Sequence, residues 1–208
     1  MKLFNWIVLA AVLLCPSVWG KESGMTVSSH LEKATFAGGC FWCTESLFEK
    51  VKGVYEVTSG YTDGTTENPT YQQVSSGQTG HAEAVEVIYD PKEVTYAQLV
   101  DRFLKNIDPT AQDAQFADHG SQYRTAIYYH NDEQKKLAEE GLKKLKDSGK
   151  FDQPIATQAV AASRFYPAED YHQGYYKTNA MHYKMYEMGS GRNQYLDRVW
   201  GKDRKENQ

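Results

Sequence analysis

Apolar and polar positions alternate along this chain in two periods, and the switches between them mark out its elements. Residues 33–37 and 54–61 read as strands. So do residues 81–89, closed by Asp90-Pro91, and residues 124–130, a strand of alternating type. Helical spacing covers residues 44–52, with Leu47, Phe48 and Val51 on one face and Gly53 as the stop. A stronger helix begins at Thr95: Thr95 and Gln98 form a capping box, and Tyr96, Leu99, Val100, Phe103, Leu104 and Ile107 fall on one stripe. Asn131 caps a charged helix in which Glu139 and Glu140 precede Lys143 and Lys144 by four residues, ending near Gly149. Residues 155–160 supply a further strand. The order β-α-β-β-α-β followed by a helix predicts an α+β fold, a two-layer ferredoxin-like α/β sandwich with an extra helix.

Two stretches fall outside this pattern. Residues 106–123 form a long aperiodic loop, uncommon in a compact domain unless it builds a site. From residue 164 onward tyrosines crowd a segment with little regular pattern, read as a long, largely irregular C-terminal segment in which Met181, Met185 and Met188 pack against the core. Residues 62–80 are rich in turns, with Asp63-Gly64 and Asn68-Pro69.

The first twenty residues have Lys2 before an apolar run over residues 6–14, with small Val18 and Gly20 ahead of Lys21, the pattern of a cleavable signal peptide. The run is too short to span a membrane. An exported, periplasmic protein without stable membrane association after cleavage near Gly20 is expected, with residues 21–32 a flexible segment, 33–196 one catalytic domain and 197–208 a polar tail. Cys15 would leave with the leader, so the mature chain would keep Cys40 and Cys43 of its three cysteines. The formal charge is -4, one unit more negative once Lys2 is removed, and no basic block occurs, which argues against a nucleic-acid partner. A metal is not expected either: there is no second cysteine pair, and His30, His81, His119, His130, His172 and His182 lack ligand spacing.

Cys40-Phe41-Trp42-Cys43, entered through Gly38-Gly39, places two thiols and two large aromatics on one turn of backbone at the start of a predicted helix. Free N–H groups and the positive helix end favour a thiolate there, so Cys40 is expected to have a lowered pKa and act as nucleophile, with Cys43 on the same face within disulfide reach. A structural staple is the plain alternative, but so small a loop removes little entropy from the unfolded chain. Glu83 shares its strand face with Val85, Val87 and Tyr89, whereas Glu86 points the other way. Desolvated there it would be a general acid; at a wetter end of that face it would be a surface residue.

Gly39-Cys40-Phe41-Trp42, Gly60-Tyr61-Thr62-Asp63-Gly64, Asn68-Pro69-Thr70-Tyr71, Thr79-Gly80-His81-Ala82-Glu83 and Asp118-His119-Gly120-Ser121-Gln122-Tyr123-Arg124 occur in the order found in peptide-methionine (S)-S-oxide reductases of the A class. Residues 33–196 resemble that family. The resemblance implies reduction of methionine (S)-sulfoxide, free or in oxidised proteins, as a repair activity under oxidative stress. It makes Cys40 the nucleophile that becomes a sulfenic acid and Glu83 the proton donor. Tyr71 and Tyr123 match hydroxyls that hold the sulfoxide oxygen, Phe41 and Trp42 match the walls around the S-methyl group, and Asp118 matches a polar residue near the substrate amide. The chain departs from many members in carrying Cys43 where they have glycine, Ser75 where a cysteine is frequent, and no cysteine after Cys43. Recycling is then expected to run through a Cys40–Cys43 disulfide and an external thioredoxin-like dithiol, or a periplasmic electron-relay protein, with no bound cofactor and a monomeric enzyme. A thioredoxin-type disulfide oxidoreductase is the alternative, although it has no use for Glu83 or the paired tyrosines.

Overall fold

The computed structural model describes residues 30–205. The expected leader, Cys15 and most of the expected flexible segment lie outside the described residues. Strand β1 (Glu32–Gly38) leads into helix α1 (Phe41–Phe48), then β2 (Val54–Thr62), a short helix α2 (Tyr71–Ser75), β3 (Ala82–Tyr89) and α3 (Tyr96–Leu104). Two bridge strands, β4 (Ala114–Gln115) and β5 (Asp118–His119), and a 3-10 turn at Ser121–Tyr123 precede β6 (Thr125–Tyr129), α4 (Asp132–Asp147), β7 (Gln158–Ala161) and β8 (Tyr166–Pro167). A second 3-10 turn (Asp170–His172) and helices α5 (Tyr175–Thr178), α6 (Ala180–Gly189), α7 (Arg192–Trp200) and α8 (Lys202–Lys205) follow.

The main sheet runs β7-β6-β1-β3-β2-β8. Its four central strands are antiparallel neighbours, the arrangement of a ferredoxin-like sandwich, as expected. β7 is added parallel to β6 at one edge and β8 antiparallel to β2 at the other. Phe36 of β1 meets Phe48, Tyr96 and Phe103 on the helical side. The opposite face carries a small alanine-rich cluster, Ala37, Ala82, Ala84 and Ala126 around Tyr128, covered by Val160, Ala162 and Phe165. Because both faces are buried, β3 reads as a nearly continuous apolar run, and Glu83 stands out within it.

The capping box at Thr95 forms as predicted, with Gln98 N–H to Thr95 Oγ1 at 3.3 Å and Thr95 N–H to Gln98 Oε1 at 2.8 Å. A second box at Thr70 and Gln73 starts α2 inside the stretch read only as turns. Helix α1 begins at Phe41, not at residue 44, with Cys40 as its N-cap. In α4 the ion pairs are Lys136 with Glu140 and Lys143 with Asp147, displaced from the predicted set.

The C-terminal expectation is overturned. The segment beyond residue 174 is mostly helical, and the boundary expected at residue 196 falls inside α7, whose Leu196 and Trp200 pack into the core. The apolar period is hidden because α6 buries phenols: Tyr183 is inside while Met181, Met185 and Met188 are 80, 69 and 62% exposed. These methionines are not packing residues. They lie on the solvent side of α6.

Candidate active site

The turn from β1 into α1 is set by Gly39. Its φ is +80°, and a Cβ there would lie 2.4 Å from the Cβ of buried Gln115. Gln115 accepts from the Asp108 N–H at 2.6 Å and donates to the Asp108 carbonyl at 3.0 Å, so it holds the long loop closed against this turn. Arg192 from α7 clamps the same corner, donating to the carbonyls of Asn106 at 2.6 Å and Gly38 at 3.3 Å. The loop singled out for its lack of period thereby brings Asp118 and Tyr123 to the helix start. Other motif residues serve the frame: His81 accepts from Gly64 N–H at 3.1 Å and reaches the Thr66 carbonyl at 2.7 Å, and Arg124 pairs with Asp63 at 3.0 Å.

At the N-terminus of α1 the Phe41 N–H donates to Glu83 Oε2 at 3.0 Å. Glu83 is 2% exposed, which removes the surface reading. Burial pushes its carboxyl up to about 8 against the helping hand of that N–H, so it is the protonated acid at neutral pH. Cys40 does not have the lowered pKa expected from its place at a helix start. Burial raises its thiol, and Cys43, Glu83 and Asp118 add to the effect. The physical reason is local: the thiol is buried and hydrogen-bonded to Cys43, and the helix donor that would have met a thiolate is given to Glu83. Its hydrogen-bonded partner Cys43 is lowered instead, to about 7, by accepting from Cys40 and by Arg192 and Tyr183. Both thiols are buried and unbridged.

Phe41 and Trp42 form walls as the resemblance implied. Phe41 stacks on Tyr71 at 6.4 Å between centroids, and Trp42 lies flat on Tyr175 at 3.8 Å. The hydroxyls of Tyr71 and Tyr123 are both raised by burial, Tyr71 to about 12, and both feel Glu83 and Cys40, so they stay protonated donors beside the thiol and the acid. Asp118 accepts from the Tyr186 hydroxyl and is itself raised by burial. Cys40, Cys43, Phe41, Trp42, Tyr71, Glu83, Asp118 and Tyr123 are thus brought to one place.

Several residues of the site were missed. His172 accepts from Trp42 Nε1 at 3.1 Å through Nδ1, packs on Phe41 and Tyr71, and is held neutral by burial. Glu169 accepts from the Tyr71 N–H and the Tyr61 hydroxyl, both at 2.8 Å. Glu45, buried in α1, is raised to about 7 by desolvation while accepting from Gly174 N–H at 2.9 Å. His172 and Glu45 tie the C-terminal segment to α1, and Glu169 ties it to β2 and α2. The only signal for His172 and Glu169 was a run of tyrosine, histidine and acid without apolar period.

The family description Peptide methionine sulfoxide reductase matches residues 32–204. The chain is 53% identical over 171 residues to Peptide methionine sulfoxide reductase MsrA of Bacillus licheniformis, covering 82% of this chain and 94% of that protein. It is 51% identical over 210 residues to Peptide methionine sulfoxide reductase MsrA/MsrB of Vibrio cholerae, covering 98% of this chain and 56% of that longer protein. Among solved structures, reduced Mxr1 from Saccharomyces cerevisiae matches with a TM-score of 0.69 at 31% identity, over 74% of this chain and 88% of that one. Mxr1 in complex with Trx2 matches with a TM-score of 0.51 at 25% identity, over 71% of this chain and 86% of that one.

Proposed function

The chain belongs to the peptide methionine sulfoxide reductase family, and on that footing we propose that its Cys40 thiol attacks the sulfur of methionine (S)-sulfoxide while Glu83 protonates the oxygen. As a member of that family it is an oxidoreductase that returns peptide methionine sulfoxide to methionine. The observation that carries the assignment of roles is the shared helix start, where Cys40 caps α1 and Glu83, buried and neutral, takes the first free N–H.

The proton and electron balance closes on these residues. The thiolate of Cys43, the more acidic of the two, takes the proton of Cys40 as the Cys40 sulfur bonds to the sulfoxide sulfur, and Glu83 gives its proton to oxygen. The oxygen passes to Cys40 as a sulfenic acid and methionine leaves. Cys43 then attacks the sulfenic sulfur, its proton departs with the oxygen as water, and a Cys40–Cys43 disulfide remains. Tyr71 and Tyr123 donate to the oxygen as charge builds there, and Phe41 and Trp42 receive the methyl group. Asp118 meets the substrate backbone.

A thioredoxin-like dithiol resets the pair, a reading supported by the yeast relative's complex with Trx2. If residues 1–20 are removed on export, the reductant is a periplasmic relay protein and the mature enzyme begins near Lys21. Intact mass of protein isolated from the periplasmic fraction tests that placement. The activity itself is tested on the two resolved sulfoxide epimers of a blocked methionine: turnover of the S form supports the assignment, and turnover confined to the R form overturns it.

A further inference from the structure

Cys43 borders a second space that Cys40, Phe41, Trp42, Tyr71 and Glu83 do not. A cavity of about 340 Å³ runs along α1, with Cys43 at its floor and Tyr183 and Glu187 of α6 on one wall. Its other walls are basic, lined by Lys50, Arg102, Arg192 and Arg204 against one lining carboxylate, Glu187. Two of these guanidinium groups are buried and only partly satisfied. Arg192 is 7% exposed, spends both terminal nitrogens on backbone carbonyls, and leaves Nε without an acceptor. Arg204 is 9% exposed, donates to Asn193 and, at 2.7 Å, to Asp197, and also leaves Nε without one. Both Nε atoms are sealed from solvent, so the attraction of this cavity for an anion comes from its four cationic residues set against one carboxylate. The volume suits a small molecule and excludes a folded partner.

We propose that this cavity admits a small carboxylate-bearing thiol, which reduces the Cys40–Cys43 disulfide by attacking Sγ of Cys43. Its carboxylate is held by the field of the cationic lining, Lys50, Arg102, Arg192 and Arg204. The incoming thiolate bonds to Cys43, the S–S bond breaks, and Cys40 leaves as a thiolate that takes up a proton. A second thiolate attacks the sulfur of the bound small thiol, Cys43 leaves as a thiolate, and the two small thiols depart as one disulfide, having delivered two electrons. The reductant thus reaches the dithiol without crossing the methionine pocket. The net charge of the chain is negative, so any preference for an anionic thiol has to come from this local field.

The inference rests on the reading of Cys43 as the resolving thiol, and the experiment separates the two. One turnover with excess sulfoxide and no reductant loads the enzyme with disulfide, checked by intact mass; if no disulfide forms, that earlier reading fails and this one with it. The loaded enzyme is then reduced with 3-mercaptopropionate, 2-mercaptoethanol or cysteamine at equal thiolate concentration, with rates corrected for thiol basicity. The anionic thiol should react about tenfold or more faster than the cationic one. The spread should shrink in Arg204→Gln, in the exposed-site variant Lys50→Gln, and in high salt. If Arg204→Gln does not fold, the Lys50→Gln and salt arms on folded protein decide. Equal rates for the three thiols with wild-type disulfide, or a spread untouched by salt and by Lys50→Gln, would overturn the proposal.

Discussion

The Phe41 N–H points at Glu83 Oε2, 3.0 Å away, so the first free donor of helix α1 serves the acid and not the neighbouring thiol. That bond holds Glu83 at the helix start while burial keeps it protonated. General acid catalysis contributes about 10²–10⁴ in rate. Glu83→Gln should therefore lower single-turnover sulfoxide reduction by about that factor while Cys40 still reacts with a small alkylating reagent. The wild-type rate should fall as pH rises through about 8, where Glu83 loses its proton. An unchanged single-turnover rate for the glutamine variant at pH 7 would remove Glu83 from the proton transfer.

The same group predicts how stability follows pH. Folded Glu83 holds its proton up to about 8, whereas in the unfolded chain it releases it near about 4.3. The folded state binds more protons in between, so stability is full below the unfolded value and is lost as pH rises through the folded one. Wild type should lose stability relative to Glu83→Gln between pH 5 and 8.5 by on the order of a few kcal/mol. Glu45, also raised by burial, adds a decline of the same sign to both proteins. Urea unfolding at the two pH values measures the difference, and a gap that moves the other way contradicts the buried neutral acid.

Gly39→Ala should cost more than a surface glycine change. The positive φ alone costs about 1–2 kcal/mol in a residue with a side chain, and the new Cβ meets Gln115 at 2.4 Å. The turn that sets Cys40 would shift with the loop carrying Asp118. Loss of stability together with a large drop in sulfoxide reduction is expected; a variant with wild-type melting and turnover would mean that the turn tolerates other geometry.

Trp42→Ala removes a pocket wall that stacks on Tyr175 and is anchored by His172. It should raise KM for methionine sulfoxide more than it slows alkylation of Cys40. His172→Ala should reproduce part of the KM effect by releasing the indole. Equal loss of both activities would indicate local unfolding of α1.

The sandwich was legible because its strands are short apolar-rich runs bounded by turn residues and its helices are capped: Thr95 with Gln98, and Asn131 with Gln134, whose N–H donates to Asn131 Oδ1 at 2.8 Å. Glu83 was legible because one carboxylate stood in line with Val85, Val87 and Tyr89. The C-terminal helices were not, since α6 buries tyrosine and exposes methionine, inverting the pattern from which a helix face is read. The thiol polarity was not either. Position at a helix start predicted a lowered Cys40, but only the fold shows that Glu83 takes the helix donor and that Arg192, nearly 150 positions away in the chain, lies beside Cys43.

The most direct measurement is the intact mass after one turnover without reductant, made on wild type, Cys40→Ser and Cys43→Ser. Wild type should release about one methionine per enzyme and lose two hydrogens as the Cys40–Cys43 disulfide forms. Cys43→Ser should also release about one methionine but gain one oxygen, or a trapped sulfenic adduct, and should no longer cycle with a thioredoxin-like reductant. Cys40→Ser should release none, because a serine hydroxyl is a far weaker nucleophile toward sulfur. Methionine release by Cys40→Ser, or undiminished thioredoxin-dependent cycling by Cys43→Ser, would contradict the assignment of nucleophile and resolving thiol.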